Sequence, residues 1–353
     1  MLFKRKKVRQ LTQVASTREP DAECILDVKD LSVEFHTDDA LVYAVNQIDL
    51  KLRRQKTLGL VGETGAGKTT TVLSLMRLIE SPPGVVKSDG IFLNGRDVAA
   101  MSDAELETIR GKEISMIFQD PMTALNPVMT VGEQIAESLL LHEPLSKEEA
   151  REKAGQMLET VGISKERANE YPHQFSGGMK QRVVIAIALA CHPEVLIADE
   201  PTTALDVTIQ AQVLAMMNEL KKTYNTAMIM ITHDLGIIAE TCDDVAVMYA
   251  GRIVEQGTLE EVFNHTKHPY TEGLFNSLPN MRAKRQPLKP IKGLTPDPTK
   301  CYPGCVFAER CPYATERCYD GYPEKHWDSE THFFACKRYD EPGFHIARRK
   351  TDA

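Results

Sequence analysis

The chain has 353 residues, 42% of them hydrophobic and 26% charged, which fits a globular protein of two or three domains. Its net charge of −8 argues against a general nucleic-acid binder, which needs a basic face. No apolar run approaches the roughly 18 residues that read as a membrane span, the best being Val183 to Cys191.

Residues 1–24 read as a basic, flexible arm. Five of the first ten are Lys or Arg, with no apolar core behind them as a secretion signal would have. The expectation is a chain that stays in the cytosol with reduced thiols. A solvated arm is the plain reading; contact with an anionic membrane surface is the sharper one. Alternating apolar and polar residues then predict strands over 25–35 and 43–52. Such a pair ahead of a nucleotide loop brings an aromatic to the base, and Tyr43 and Phe35 are both candidates to stack on adenine.

Gly62-Glu63-Thr64-Gly65-Ala66-Gly67-Lys68-Thr69 is a complete G-x-x-x-x-G-K-[ST] phosphate loop. An apolar strand pattern at 57–61 precedes it, and helical spacing over 70–78 follows. The glycines let backbone N–H groups turn inward around phosphate oxygens. The helix start, with Thr70, adds unpaired donors and a positive dipole end. Lys68 reaches toward the β- and γ-phosphates, and the Thr69 hydroxyl is suited to Mg²⁺.

Ser81-Pro82-Pro83-Gly84 breaks the chain. A strand with an Asn94-Gly95 turn follows over 90–97, then a helix over 102–110 opened by a Ser102-x-x-Glu105 capping box. An apolar strand at 114–119 ends on Gln119, and 120–127 reads as a loop with two prolines. Helices follow over 131–141 and 146–161, with Gly162 as a stop. Ser176-Gly177-Gly178-Met179 opens another helix, a second anion-binding start more than a hundred residues from the first. The strand at 195–200 ends in Asp199, suited to hold Mg²⁺, and Glu200, suited to polarise an attacking water. After a helix to about 222, a buried strand at 228–234 carries His233 at its tip, within reach of a γ-phosphate. Residues 245–257 read as a hairpin.

Taken in order, these motifs resemble the ATPase subunit of an ABC transporter over about residues 25–262, with a helical subdomain at about 120–181. The resemblance implies an α/β fold: a RecA-like P-loop NTPase core with an antiparallel β subdomain. It makes Gln119 the glutamine of the loop that relays closure and contacts Mg²⁺. Phe175-Ser176-Gly177-Gly178-Met179 becomes the signature acting in trans on a partner's ATP, with Phe175 and Met179 replacing Leu and Gln. Ala204-Leu205-Asp206 becomes the D-loop, and His233 the switch histidine. Within the family, Phe118 to Pro127, Tyr171 to Met179 and His268-Pro269-Tyr270-Thr271 are similar to the oligopeptide/dipeptide importer ATPases, with nickel and glutathione systems as relatives. This implies a peripheral subunit on the cytoplasmic face of the membrane, bound to two membrane-spanning permeases and a second, homologous ATPase chain. An extracellular binding protein would feed the assembly. Import of nickel or another small solute, or a soluble ABC ATPase, are the alternatives; a redox-regulatory module is a rival of another class.

Residues 263–353 read as an extension. Positions 279–300 are rich in Pro and Lys, a linker by composition. Five of the eight cysteines then fall between 301 and 336. From Cys305 the spacing C-x5-C-x6-C-x17-C lacks the close pairs of zinc ribbons. An iron–sulfur cluster, zinc and free thiols all stay open on spacing alone. The related importers carry a similar Gly-Cys-x-Phe-x-x-Arg-Cys tail, which implies a [4Fe–4S] cluster on Cys305, Cys311, Cys318 and Cys336, with Cys301 a bystander.

Overall fold

The computed structural model describes residues 23–203, 205–277 and 290–346. The expected basic arm lies outside them except for Glu23 and Cys24, and Cys24 already belongs to the first strand.

Two sheets organise the molecule. The larger runs in the order His326–Trp327, Phe333–Phe334, Arg252–Thr258, Asp244–Tyr249, Thr57–Val61, Ala227–Ile231, Val195–Asp199, Ile114–Ile117. The last five strands are parallel. Thr57–Val61, Val195–Asp199 and Ala227–Ile231 are buried at every residue, which is why they read as unbroken apolar runs with no alternation. The smaller sheet is antiparallel. Cys24–His36 pairs with Leu41–Arg53 on one side, and with Gly90–Leu93 and Gly84–Lys87 on the other.

Local chemistry sets most of the helix ends. Asp103–Ile109, Val131–His142 and Lys147–Thr160 each begin at a reciprocal capping box, made by Ser102 with Glu105, Thr130 with Glu133 and Ser146 with Glu149. Gly162 follows with φ 76°, the left-handed stop that glycine adopts without strain. Two short elements depart from expectation. Gly84–Lys87, which starts on the last residue of the proline break, is a strand, because the edge of Cys24–His36 offers it unpaired backbone groups. Pro121–Ala124 forms one helical turn where a loop was expected.

The C-terminal residues are joined to this body. Phe333 and Phe334 pair with Gln256 and Glu255 and so extend the large sheet. The described part of the proline-rich stretch also packs on the body: the Tyr43 N–H donates to the Pro298 carbonyl at 2.8 Å. Among the described residues, no helix is long and apolar enough to cross a membrane.

Candidate functional site

The large sheet carries its polar residues at the C-terminal ends of parallel strands, where such sheets present ligand sites. From Thr57–Val61 the chain turns through Gly62–Gly67 into the helix Lys68–Leu75. Gly67 has φ 99°, and a Cβ there would lie 2.5 Å from the Ala44 carbonyl, so only glycine fits. Lys68 is buried, and its ammonium donates to the carbonyls of Gly62 at 2.7 Å and Glu63 at 3.0 Å. Burial lowers its pKa, and the carboxylates of Glu200, Asp199 and Glu63 work against that.

Two strands across, Asp199 ends Val195–Asp199 and Glu200 follows it, in different environments. Asp199 is 2% exposed; burial raises its pKa, and a hydrogen bond from the Thr69 hydroxyl works the other way. Its Oδ1 finds no hydrogen-bond partner among the described residues. A buried, orphaned carboxylate oxygen beside a hydroxyl is the donor set a hard divalent cation takes, so these residues fit Mg²⁺.

Glu200 adopts φ 46°, a left-handed turn that lifts its side chain off the strand. Its Oε2 accepts from Thr203 Oγ1 at 2.8 Å and from Gln119 Nε2 at 3.3 Å. Its Oε1 lies 3.3 Å from His233 Nδ1. Burial pulls its pKa upward, but the Thr203 and His233 hydrogen bonds and the charges of His233 and Lys68 outweigh this and hold it below the usual range. Glu200 is thus an ionised carboxylate gripped on both oxygens.

Gln119, Glu200 and His233 sit just beyond the C-terminal ends of three adjacent parallel strands. Thr203, which ties the carboxylate in place, was missed by sequence reading; its three-residue spacing from Glu200 was the available signal.

Beside the loop lies a cavity of about 600 Å³, lined by Glu63 to Gly67, Thr70, Tyr43 and Tyr249 to Arg252, and by Thr295 to Pro298 and Tyr302. It separates the two candidate aromatics. Tyr43 faces the cavity, whereas Phe35 packs into the core, its ring 3.4 Å from where a Gly84 Cβ would stand. Cys301, expected to be a bystander, is exposed and also lines it. The C-terminal wall had no sequence signal.

Ser176, Gly177, Gly178 and Met179 do not line this cavity. Ser176 caps the helix Gly177–Leu189 and, with Gly177, is exposed. The two departures in this motif share a partner: the Arg167 guanidinium stacks 4.3 Å from the Phe175 ring centre, and its Nη1 lies 3.4 Å from Met179 Sδ. Asp206 is exposed and caps Val207–Tyr224, accepting from the Ile209 N–H at 2.9 Å.

The four expected cluster cysteines share one neighbourhood, in which Cys305, Cys311 and Cys318 each raise the pKa of Cys336. Burial pushes Cys305 up to about 11, and Cys311 and Cys336 up to about 12. Nearby backbone N–H groups, Phe307 and Ala308 at Cys305, Tyr313 at Cys311 and Arg338 at Cys336, pull the other way. Among the described residues, however, no three His, Cys, Asp or Glu side chains converge to hold a metal ion. The expected zinc and iron–sulfur ligation therefore gains no support from the donor geometry.

Comparison with known proteins places this architecture. The family profile described as ABC transporter matches residues 45–203, and the one described as oligopeptide/dipeptide transporter, C-terminal region, matches 254–318. The oligopeptide transport ATP-binding protein OppD of Bacillus subtilis is 49% identical over 88% of this chain and 87% of its own length. OppD of Escherichia coli is 48% identical over 87% of this chain and 91% of its own. The dipeptide transport ATP-binding protein DppD of Bacillus subtilis is 46% identical over 92% and 97%. Among solved structures, the dimeric ATP-binding cassette MJ0796 bound to ADP and Pi shares the fold, with a TM-score of 0.60 at 24% identity, covering 66% of this chain and 98% of that one. The chain belongs to the ATP-binding subunits of the oligopeptide and dipeptide branch of the ABC transporter family.

Proposed function

We propose that this chain binds and hydrolyses ATP to drive the import of peptides. The observation that carries the reading is Glu200, an ionised carboxylate held by Gln119, Thr203 and His233 one residue beyond the buried Asp199. The loop N–H groups and Lys68 receive the phosphates, and Tyr43 stacks on the base. Thr69 and Asp199, with Gln119, would hold Mg²⁺, which when bound offsets the phosphate charge. Glu200 orients a water and accepts its hydrogen bond. The water oxygen bonds to the γ-phosphorus as the bond to the bridging oxygen breaks, yielding ADP and inorganic phosphate. His233 contacts the γ-phosphate.

The exposed Ser176 and Gly177, remote from the cavity lining, support a site completed by the signature of a second ATPase chain, with Asp206 at the same interface. Exposed apolar side chains at Phe118, next to Gln119, and at Val128 further along the same segment support docking onto two permeases at the cytoplasmic face of the membrane. The names of the relatives support peptide as cargo, and the resemblance to importers carries the extracellular binding protein as donor. For residues 263–353 we propose a cysteine-rich extension. A [4Fe–4S] cluster on Cys305, Cys311, Cys318 and Cys336 rests on the resemblance of the Gly304–Cys311 run to the related importers, not on the arrangement of the thiols. Iron below stoichiometry after anaerobic reconstitution would sink that part.

The main test is Glu200→Gln. ATP binding is retained while turnover falls on the order of 10²–10⁴-fold. Near-normal hydrolysis in that variant removes Glu200 from the role.

A further inference from the structure

Glu63, the second residue of the phosphate loop, is held at its side chain and its backbone N–H by residues outside the strand, loop and helix that form the motif. Arg310, between Cys305 and Cys311, sends Nη1 to Glu63 Oε2 at 2.7 Å and Nη2 to Oε1 at 3.1 Å. Its side chain is 7% exposed. The same guanidinium donates to Tyr249 Oη at 3.1 Å and, through Nε, to the Lys292 carbonyl at 3.0 Å. The Glu63 N–H donates to Tyr270 Oη at 2.9 Å. The Glu63 carbonyl, in turn, accepts from Lys68. One residue of the loop is therefore pinned from the C-terminal side while its carbonyl holds the phosphate-binding lysine.

Resting on the nucleotide site proposed above, we infer that Arg310 is a positioning residue for ATP binding. Its two-bond fork on Glu63 keeps the phosphate loop in the arrangement that receives a triphosphate. The C-terminal segment is thereby part of the nucleotide site. The physical reason lies in the loop itself. Gly65 and Gly67 have φ of 78° and 99°, and nothing stands within 4 Å of a Cβ at Gly65, so the loop's own restraint converges on the Glu63 carbonyl, which accepts from Lys68 and from the Ala66 N–H at 3.1 Å. Apparent affinity falls with the fraction of molecules whose loop is receptive. A planar guanidinium that is itself anchored by a tyrosine and a backbone carbonyl transfers that restraint to Glu63.

The test uses the full chain and ATP itself, with binding measured by calorimetry and steady-state hydrolysis alongside. Arg310→Ala should weaken ATP binding about tenfold and raise KM, with kcat at saturating ATP within about twofold. Arg310→Lys, which keeps charge but loses the fork, should fall between. Glu63→Ala should resemble Arg310→Ala, and the double variant should be no worse than either, because the two residues act as one unit. Unchanged affinity in Arg310→Ala, or additive losses in the double variant, overturns the inference. If Arg310→Ala does not fold, Arg310→Lys decides: native affinity there overturns it equally. Lys68→Ala separates the two readings. Lost binding in Lys68→Ala with native binding in Arg310→Ala sinks the clamp alone, whereas native binding in Lys68→Ala sinks the site reading and the clamp with it.

Discussion

The three central strands of the large sheet are buried at every residue, and an apolar core lines both of its faces. Residues 290–346 hold only two-residue strands and short 3-10 turns. A few apolar side chains, Phe307 and Phe333 foremost, reach into the body's core, and a small set of directional contacts fastens the rest. Glu255, fully buried on Arg252–Thr258, accepts from the N–H groups of Lys267 at 2.7 Å and His268 at 3.0 Å, with His332 Nε2 at 2.9 Å. Glu261 gathers the hydroxyls of Ser329 at 2.6 Å and Thr331 at 2.9 Å. Arg310 grips Glu63. Area burial spreads stability over many residues, whereas polar anchors concentrate it in a few, because each buried donor left unpaired costs on its own. The body should therefore fail as a whole, and the C-terminal segment anchor by anchor.

The largest expected effect tests the body. Ile229→Ala, in the middle of the sheet, should cost about 2–5 kcal/mol and shift the whole denaturation curve. Fraying confined to one strand, seen by hydrogen exchange, would break the picture of a single cooperative core.

Next, Glu255→Ala strands two backbone N–H groups and one imidazole, together costing about 1–3 kcal/mol once water reaches them. Exchange should rise around Lys267 and His268 and around His332 while the central strands stay protected. Equal loosening of both regions would erase the distinction.

A third prediction concerns acid. Burial drives the pKa of His268 from 6.5 down to about 3, with a backbone contact to Ala335 pulling the other way. The folded chain keeps this histidine neutral while the unfolded chain protonates it. Its contribution is complete above about pH 6.5 and lost as pH falls toward 3, by at most about 1.4 kcal/mol per unit. Glu261 adds a lower window. Burial raises its pKa, but the Ser329, Thr258 and Thr331 bonds outweigh that and bring it from 4.5 to about 2. Stability from Glu261 is therefore present above 4.5 and lost between 4.5 and 2. Stability curves of His268→Gln should flatten between pH 6.5 and 4.5, and an unaltered slope would count against His268.

The smallest effect separates two aromatics. Tyr43→Ala should weaken ATP binding by about 1–3 kcal/mol, the range for base stacking. Phe35→Leu should leave it unchanged. The reverse ranking would return Phe35 to the site.

Much of the architecture was legible before folding because its causes are local. The phosphate loop is a run of glycines between a strand and a helix. Capping boxes at Ser102, Thr130 and Ser146 need only four consecutive residues, and the Asn94-Gly95 turn needs two. Buried parallel strands announce themselves as apolar runs. The polar residues at their C-terminal ends, Gln119, Asp199, Glu200 and His233, were legible as a set because parallel register brings such ends together. Tertiary packing decided the rest, because those partners meet across long stretches of chain that leave no periodic trace. Gly84–Lys87 is a strand only because a free edge lies beside it. Phe35 and Tyr43, equal in composition and setting, part ways through the pairing of the small sheet. Phe175 and Met179 share Arg167 only once two helices and a loop are packed. Arg310 reaches Glu63 across 247 positions, a distance over which spacing says nothing and only the folded chain brings a charge to its counter-charge.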